Sequence, residues 1–211
     1  MNSTRIDILK LSAVLQEELP GEEAQFKMAP MARKRIAEMP VHDASIRKAA
    51  VMLPLFRNSE NDCLLLTVRS IYDGVHSGQV SFPGGKFDEN ENDAIQVALR
   101  EMEEEVGVKS DQIQIAGMLS PLFIPVSKMY VQPVVAWVHE PNWVANDHEV
   151  AQILEIPIHH IFQHNVIKKM KMEFSPGNSV EVPYFDLQGH TVWGATAMII
   201  SEFLAVIKKI A

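Results

Sequence analysis

Apolar residues along this chain recur with two different periods, and the changes of period outline its elements. A first helical stretch is predicted from Arg5 to Glu18. Aliphatic-rich runs at Ala49 to Phe56 and Asp62 to Arg69 then read as strands. Between Ala94 and Val106 the apolar residues Ile95, Ala98, Leu99, Met102 and Val106 return at intervals of three and four, as on a helix that buries one stripe against a sheet. Strands are predicted near Gln112 to Leu119, Tyr130 to His139, Val166 to Glu173, Val180 to Asp186 and His190 to Trp193, before a final helix from Ala195 to Lys209. This order predicts an α/β chain, with a mixed sheet carrying helices on both sides.

The central helix carries the chemistry. Glu101, Glu104 and Glu105 are spaced i, i+3 and i+4, so on the pattern alone they share a sector apart from the apolar stripe. Like charges so close repel by a few tenths of a kcal/mol per pair, roughly, unless a cation reverses the sign. Hard divalent ions favour carboxylate oxygen and are held by a few carboxylates together with substrate phosphates. These three residues are therefore the candidate metal ligands for Mg2+ or Mn2+. Arg100, four before Glu104, is placed to hold that carboxylate by a two-pronged hydrogen bond.

The helix ends are marked by Asn92 or Asp93 as a cap and by Gly107, able to take the left-handed conformation that closes the last turn. Upstream, Pro83 restricts the backbone, while Gly84 and Gly85 permit a close approach to the helix or to a phosphate.

Length and composition narrow the reading. With 211 residues, 47% of them hydrophobic, the chain has material for one sizeable core. It has no long apolar run and its start lacks the apolar centre of a secretory signal, so a soluble, cytoplasmic protein without a membrane partner is expected. Cys63 stands alone among leucines and reads as a buried strand thiol. The formal charge of -8 argues against nucleic acid as a partner, and the basic runs Arg33-Lys34-Arg35 and Lys168-Lys169-Met170-Lys171 read as solvated surface. Trp193 reads as core. Ser120 to Met129, with Pro121, Pro125 and apolar Leu122, Phe123 and Ile124, reads as an ordered wall beside the site.

Arg100-Glu101-Met102-Glu103-Glu104-Glu105-Val106-Gly107-Val108 resembles the second half of the Nudix hydrolase signature and matches it fully. The first half departs from it: Gly85 is fifteen rather than fourteen positions before Arg100, and Asn92 stands where the signature has glutamate. This longer spacing, with acidic residues resembling Asp88 and Glu91, is similar to the coenzyme A diphosphatase-like Nudix proteins. So is a second motif formed by Leu65, Leu66, Thr67, Arg69, Ser70, Gly78, Gln79 and Phe82-Pro83-Gly84-Gly85, with His76 in its usual setting. One position differs, since Gly74 stands where that subfamily carries an arginine. Further likeness runs through Pro125-Val126-Ser127, Val131-Gln132-Pro133, His148-Glu149-Val150 and Trp193-Gly194-Ala195-Thr196.

The resemblance implies a Nudix α/β/α sandwich over residues 48–211, with residues 1–47 as an amino-terminal helical extension packed on it. It further implies metal-dependent hydrolysis of a pyrophosphate in a small-molecule nucleoside diphosphate derivative. Coenzyme A or its thioesters are favoured, giving phosphopantetheine and adenosine 3',5'-bisphosphate. The implied catalytic residues are Arg100, Glu104 and Glu149, the last as a distal carboxylate or base, with Glu140 and Glu155 as alternatives. Arg69, Gly84, Gly85 and Ser127 are the implied substrate contacts, and a homodimer is the implied assembly. ADP-ribose or a dinucleotide is the alternative substrate, and a non-catalytic nucleotide-binding module is the alternative of a different class.

Overall fold

A computed structural model describes residues 5–30, 45–70, 78–175 and 177–210. Arg33-Lys34-Arg35, Gly74 and His76 therefore lie outside the described residues. The predicted first helix is shorter than its periodicity suggests. Helix α1 spans Ile8–Val14, capped by the Asp7 carboxylate, and a separate short helix, α2, spans Gly21–Gln25.

Strand β1 (Arg47–Arg57) lies between two partners that differ in direction. It pairs antiparallel with β2 (Asp62–Arg69) and parallel with β7 (Met129–Val138). Two short strands that periodicity missed, β3 (Val80–Ser81) and β4 (Gly84–Lys86), pair with β2 and β1 respectively. Strands β5 (Ile113–Met118) and β6 (Leu122–Ile124) pair with β7, and β8 (Val150–Pro157) pairs with β2. These form a mixed eight-stranded sheet. The segment read as a wall thus contains strand β6, because Leu122, Phe123 and Ile124 complete a hairpin onto β7.

After the short helix α4 (Ile158–Ile161), strands β9 (Ile167–Ser175), β10 (Asn178–Leu187) and β11 (His190–Trp193) form a second antiparallel sheet. The chain then enters helix α5 (Gly194–Ile207).

Alternation in the central strands separates two apolar layers. Ala50, Met52 and Phe56 of β1, Cys63 and Leu65 of β2, and Val134, Ala136 and Val138 of β7 pack on helix α3 (Ala94–Val106). Leu53, Leu55, Leu64, Leu66 and Val135 face the other way, toward α5 and α1. Strands buried on both faces read as unbroken apolar runs, which is why β2 had no visible period-two signal. Two helical layers on one sheet give the α/β/α arrangement, and Cys63 is a buried thiol of its core. No helix among the described residues is long and apolar enough to cross a membrane.

A polar network centred on Glu202 ties helix α2 to this frame. Glu202 of α5, fully buried, accepts from the Gly21 and Ser120 amides at 3.1 and 3.2 Å and from the Gln25 side chain at 2.8 Å. Ile6 is anchored separately, its amide donating to the buried Asp62 carboxylate at 2.6 Å.

Candidate active site

Helix α3 begins where the sequence marks it. The Asp93 side chain, rather than Asn92, accepts from the Ile95 amide at 2.9 Å. Gly107 closes the helix with φ 73°, and the amides of Gly107 and Val108 reach back to the carbonyls of Glu103 and Met102. The buried face is displaced from the predicted stripe. It comprises Val97, Ala98, Met102 and Val106 with Glu101 and Glu105, whereas Ile95 and Leu99 are only partly buried.

The cause is the Gly-Gly turn. Gly84 and Gly85 pair with Val51 and Ala50, so β4 lies against the sheet directly beneath the helix. A Cβ on Gly84 would come within 2.7 Å of Val51 Cα, and one on Gly85 would overlap the Glu101 carboxylate. This side-chain-free edge lets two glutamates turn inward. Glu101 is 8% exposed and Glu105 only 2%, while the Glu104 side chain is 51% exposed. The three carboxylates therefore occupy two environments instead of one shared face, because the sheet edge admits only the pair four residues apart.

Burial raises the pKa of both inward carboxyls, that of Glu105 to about 8, since charge is costly away from water. The Arg100 guanidinium opposes the shift at Glu101. At Glu105, Arg69 and a backbone hydrogen bond from Gly84 oppose it, with Arg69 Nη1 3.9 Å away. The Arg69 Nε is itself buried and has no hydrogen-bond partner among the described residues. The Glu149 charge pushes both Glu101 and Glu105 upward, which brings it within electrostatic reach of the pair. Of the alternatives, Glu155 accepts from the Trp143 indole at 3.0 Å, and Glu140 is an exposed residue at φ 46°.

Arg100 does more than the sequence reading assigned to it. Its Nη1 donates to both Glu101 and Glu104 at 2.8 Å, but its two-pronged grip is on Glu91, at 3.0 Å through Nε and 3.3 Å through Nη2. Nη2 also donates to the Lys86 carbonyl at 3.1 Å. The bidentate partner is thus Glu91, not Glu104, because the loop curls back over the helix and the Glu91 carboxylate also accepts from the Asp88 amide. Glu91 lies nine residues before Arg100, and the one-residue insertion was the signal that could have found it.

Ser127 sits apart from this cluster. Its carbonyl accepts from Arg47 at 2.9 Å at the β6–β7 turn, and no contact among the described residues links it to the carboxylates.

The donor set suits a hard divalent cation. Two buried carboxylates, with a third acting on them, are short of positive charge in a medium where that deficit is expensive. Among the described residues no three acidic, cysteine or histidine side chains already form a finished cage. Mg2+ does not require one, since it keeps several waters and takes one or two carboxylates alongside substrate phosphates. Glu101 and Glu105 are the side chains that can supply them.

The chain is similar to known proteins in sequence and in fold. The family model described as NUDIX domain matches residues 46–174. A Salmonella paratyphi B protein named uncharacterized Nudix hydrolase NudL is 36% identical over 158 residues, covering 74% of this chain and 80% of that protein. Among solved structures, a MutT/nudix family protein from Enterococcus faecalis superposes with a TM-score of 0.52 at 20% identity, over 81% of this chain and 65% of that one. A Nudix hydrolase from M. smegmatis, RenU, gives 0.50 at 17% identity, over 78% and 87%. The two structural likenesses concern the fold alone.

Proposed function

The chain belongs to the Nudix hydrolase family and is a pyrophosphohydrolase of nucleoside diphosphate derivatives; from that premise we propose coenzyme A or its thioesters as its substrate and Mg2+ or Mn2+ as its metal. The observation that carries the metal and catalytic assignment is the buried pair Glu101 and Glu105 over the Gly84-Gly85 edge, with Glu149 acting electrostatically on both.

In this reading Glu101 and Glu105 hold the metal, and Glu104 serves as a further ligand or an outer anchor through Arg100. A bound divalent ion supplies charge to phosphoryl oxygens and lowers the pKa of a water. Arg100 fixes the Glu101 carboxylate while its other donors are held by Glu91 and the Lys86 carbonyl. Glu149 orients or deprotonates the attacking water. Arg69, whose Nε has no hydrogen-bond partner among the described residues, offers its guanidinium to a phosphate, and the Gly84 and Gly85 backbone is assigned to contact the diphosphate. Ser127 is assigned to the far end of the substrate.

Support for coenzyme A comes from the subfamily motif, of which Arg69 lies near Glu105 and Gly85 against Glu101, and from the longer loop whose Glu91 meets Arg100. Gly74 in place of the expected arginine favours the second reading, ADP-ribose or a dinucleotide. Incubation with Mg2+ or Mn2+ and coenzyme A, its acyl esters, ADP-ribose, NADH and nucleoside triphosphates, with products identified by mass, separates them. Phosphopantetheine as the fastest-formed product is expected; coenzyme A cleaved far more slowly than ADP-ribose overturns the choice.

A further inference from the structure

The loop carrying Glu149 is not an independent strap. It begins by docking on the end of α3, where the amides of Val144 and Asn146 donate to the carbonyls of Val106 and Glu105 at 3.0 and 2.9 Å. Those carbonyls belong to the last turn of the helix and have no partner within it. Gly107 permits the docking, because a Cβ there would lie 2.9 Å from Val144 Cβ and 3.2 Å from its carbonyl oxygen.

Asn146 then folds the chain back. Its carbonyl accepts from the amides of Glu149 and Val150 at 2.9 and 2.8 Å, and its side-chain oxygen accepts from His148 at 3.2 Å. Ser70, the residue after Arg69, closes the other side: its amide donates to the Glu149 carbonyl at 2.9 Å and its hydroxyl to the Asp147 carbonyl at 3.2 Å. Three successive backbone hydrogen bonds therefore join Glu105 to Asn146, Asn146 to Glu149, and Glu149 to Ser70.

We propose that Asn146 and Ser70 are positioning residues that set the Glu149 carboxylate relative to Glu105 and Arg69. This rests on the role proposed above for Glu149. Neither side chain touches the reacting atoms; each acts through the backbone of the loop between them. The side-chain bonds, Asn146 to the His148 amide and Ser70 to the Asp147 carbonyl, are the parts that a substitution removes while leaving the backbone chain available to test.

The test is a double-mutant cycle in the full-length protein, with coenzyme A and ADP-ribose each assayed with Mn2+, and amide hydrogen exchange measured in parallel. Asn146→Ala and Ser70→Ala should each lower kcat about 10-fold with little change in KM, and lower it less than about 2-fold when Glu149 is already Gln. Asn146→Ser, which keeps an acceptor oxygen, should recover part of the loss. Exchange of the Glu149 and Val150 amides should quicken in Asn146→Ala without loosening helix α3. Equal losses in both backgrounds, or Glu149 and Val150 amides unprotected in the wild type, overturn this inference alone. A Glu149→Gln enzyme with wild-type turnover removes Glu149 from the reaction and this inference with it. If Asn146→Ala does not fold, the Ser70→Ala arm decides.

Discussion

Gly85 and Glu101 are in such close apposition that the glutamate carboxylate occupies the space a Cβ at position 85 would need. One glycine thereby sets where a candidate metal ligand sits. Gly85→Ala should displace that carboxylate by an ångström or so, and a shift of that size is worth on the order of 100-fold in rate. Steady-state kinetics with Mn2+, alongside a circular dichroism spectrum showing the fold retained, would measure it; full activity in Gly85→Ala would refute the placement.

Glu105 sets stability against function. Burial raises its pKa from 4.5 to about 8, so across that window the unfolded chain releases a proton that the folded chain keeps. The stability associated with the protonated carboxyl is full below pH 4.5 and is lost as pH rises through about 8. Metal-free Glu105→Gln should therefore melt higher than wild type at pH 8, with the difference shrinking toward pH 4, and should lose metal-dependent turnover. Thermal scans in chelator at several pH values provide the check, and a wild type more stable than the variant at pH 8 would contradict it.

Divalent metal should act on the same balance. Mn2+ should raise the wild-type midpoint more at pH 8 than at pH 6, since a ligand of the folded state stabilises it and deprotonated carboxylates bind it better. In Glu105→Gln the increment should largely vanish. Calorimetric scans with and without Mn2+ at the two pH values measure it.

Arg100→Lys keeps the charge but gives up the fork that spans Glu91, Glu101 and Glu104. Losses of about 10- to 100-fold in metal affinity or turnover are typical when an outer partner of a ligand is removed. The prediction is a fall of that size with an unchanged melting profile. Manganese binding followed by electron paramagnetic resonance would detect it, and wild-type affinity together with wild-type turnover would rule it out.

Glu202→Ala leaves the Gly21 and Ser120 amides and the Gln25 side chain without their shared acceptor in the core. Only the Gln25 bond is fully buried, the two amides are half-buried and Gln25 keeps a bond to the Ser120 carbonyl, so destabilisation by about 1–3 kcal/mol is expected in urea titration. A change below about 1 kcal/mol would show that water replaces the carboxylate.

Much of the frame was legible in the chain. The predicted strand from Asp62 to Arg69 and the helix from Ala94 to Val106 match β2 and α3 in their limits, and His190 to Trp193 matches β11. Each rests on a local signal, an unbroken aliphatic run for β2 and apolar periodicity between a cap and a closing glycine for α3, and such signals survive folding. Strands β3 and β4 escaped because two or three residues cannot display a period, and β8 because its alternation is confined to residues 154–157, too short a stretch to separate it from a core loop. The grip of Arg100 on Glu91 escaped for another reason: an i, i+4 neighbour in Glu104 offered the simpler partner.

The sequence by itself determined that one capped helix carries Glu101, Glu104 and Glu105 after a Gly-Gly turn, because caps, periods and glycines act over a few residues. Which glutamates turn inward, and which distant carboxylate acts on them, only the tertiary structure decided. Those outcomes depend on a bare strand edge beneath the helix and on a loop some forty residues later docking on its carbonyls, contacts between segments whose separation no local pattern encodes.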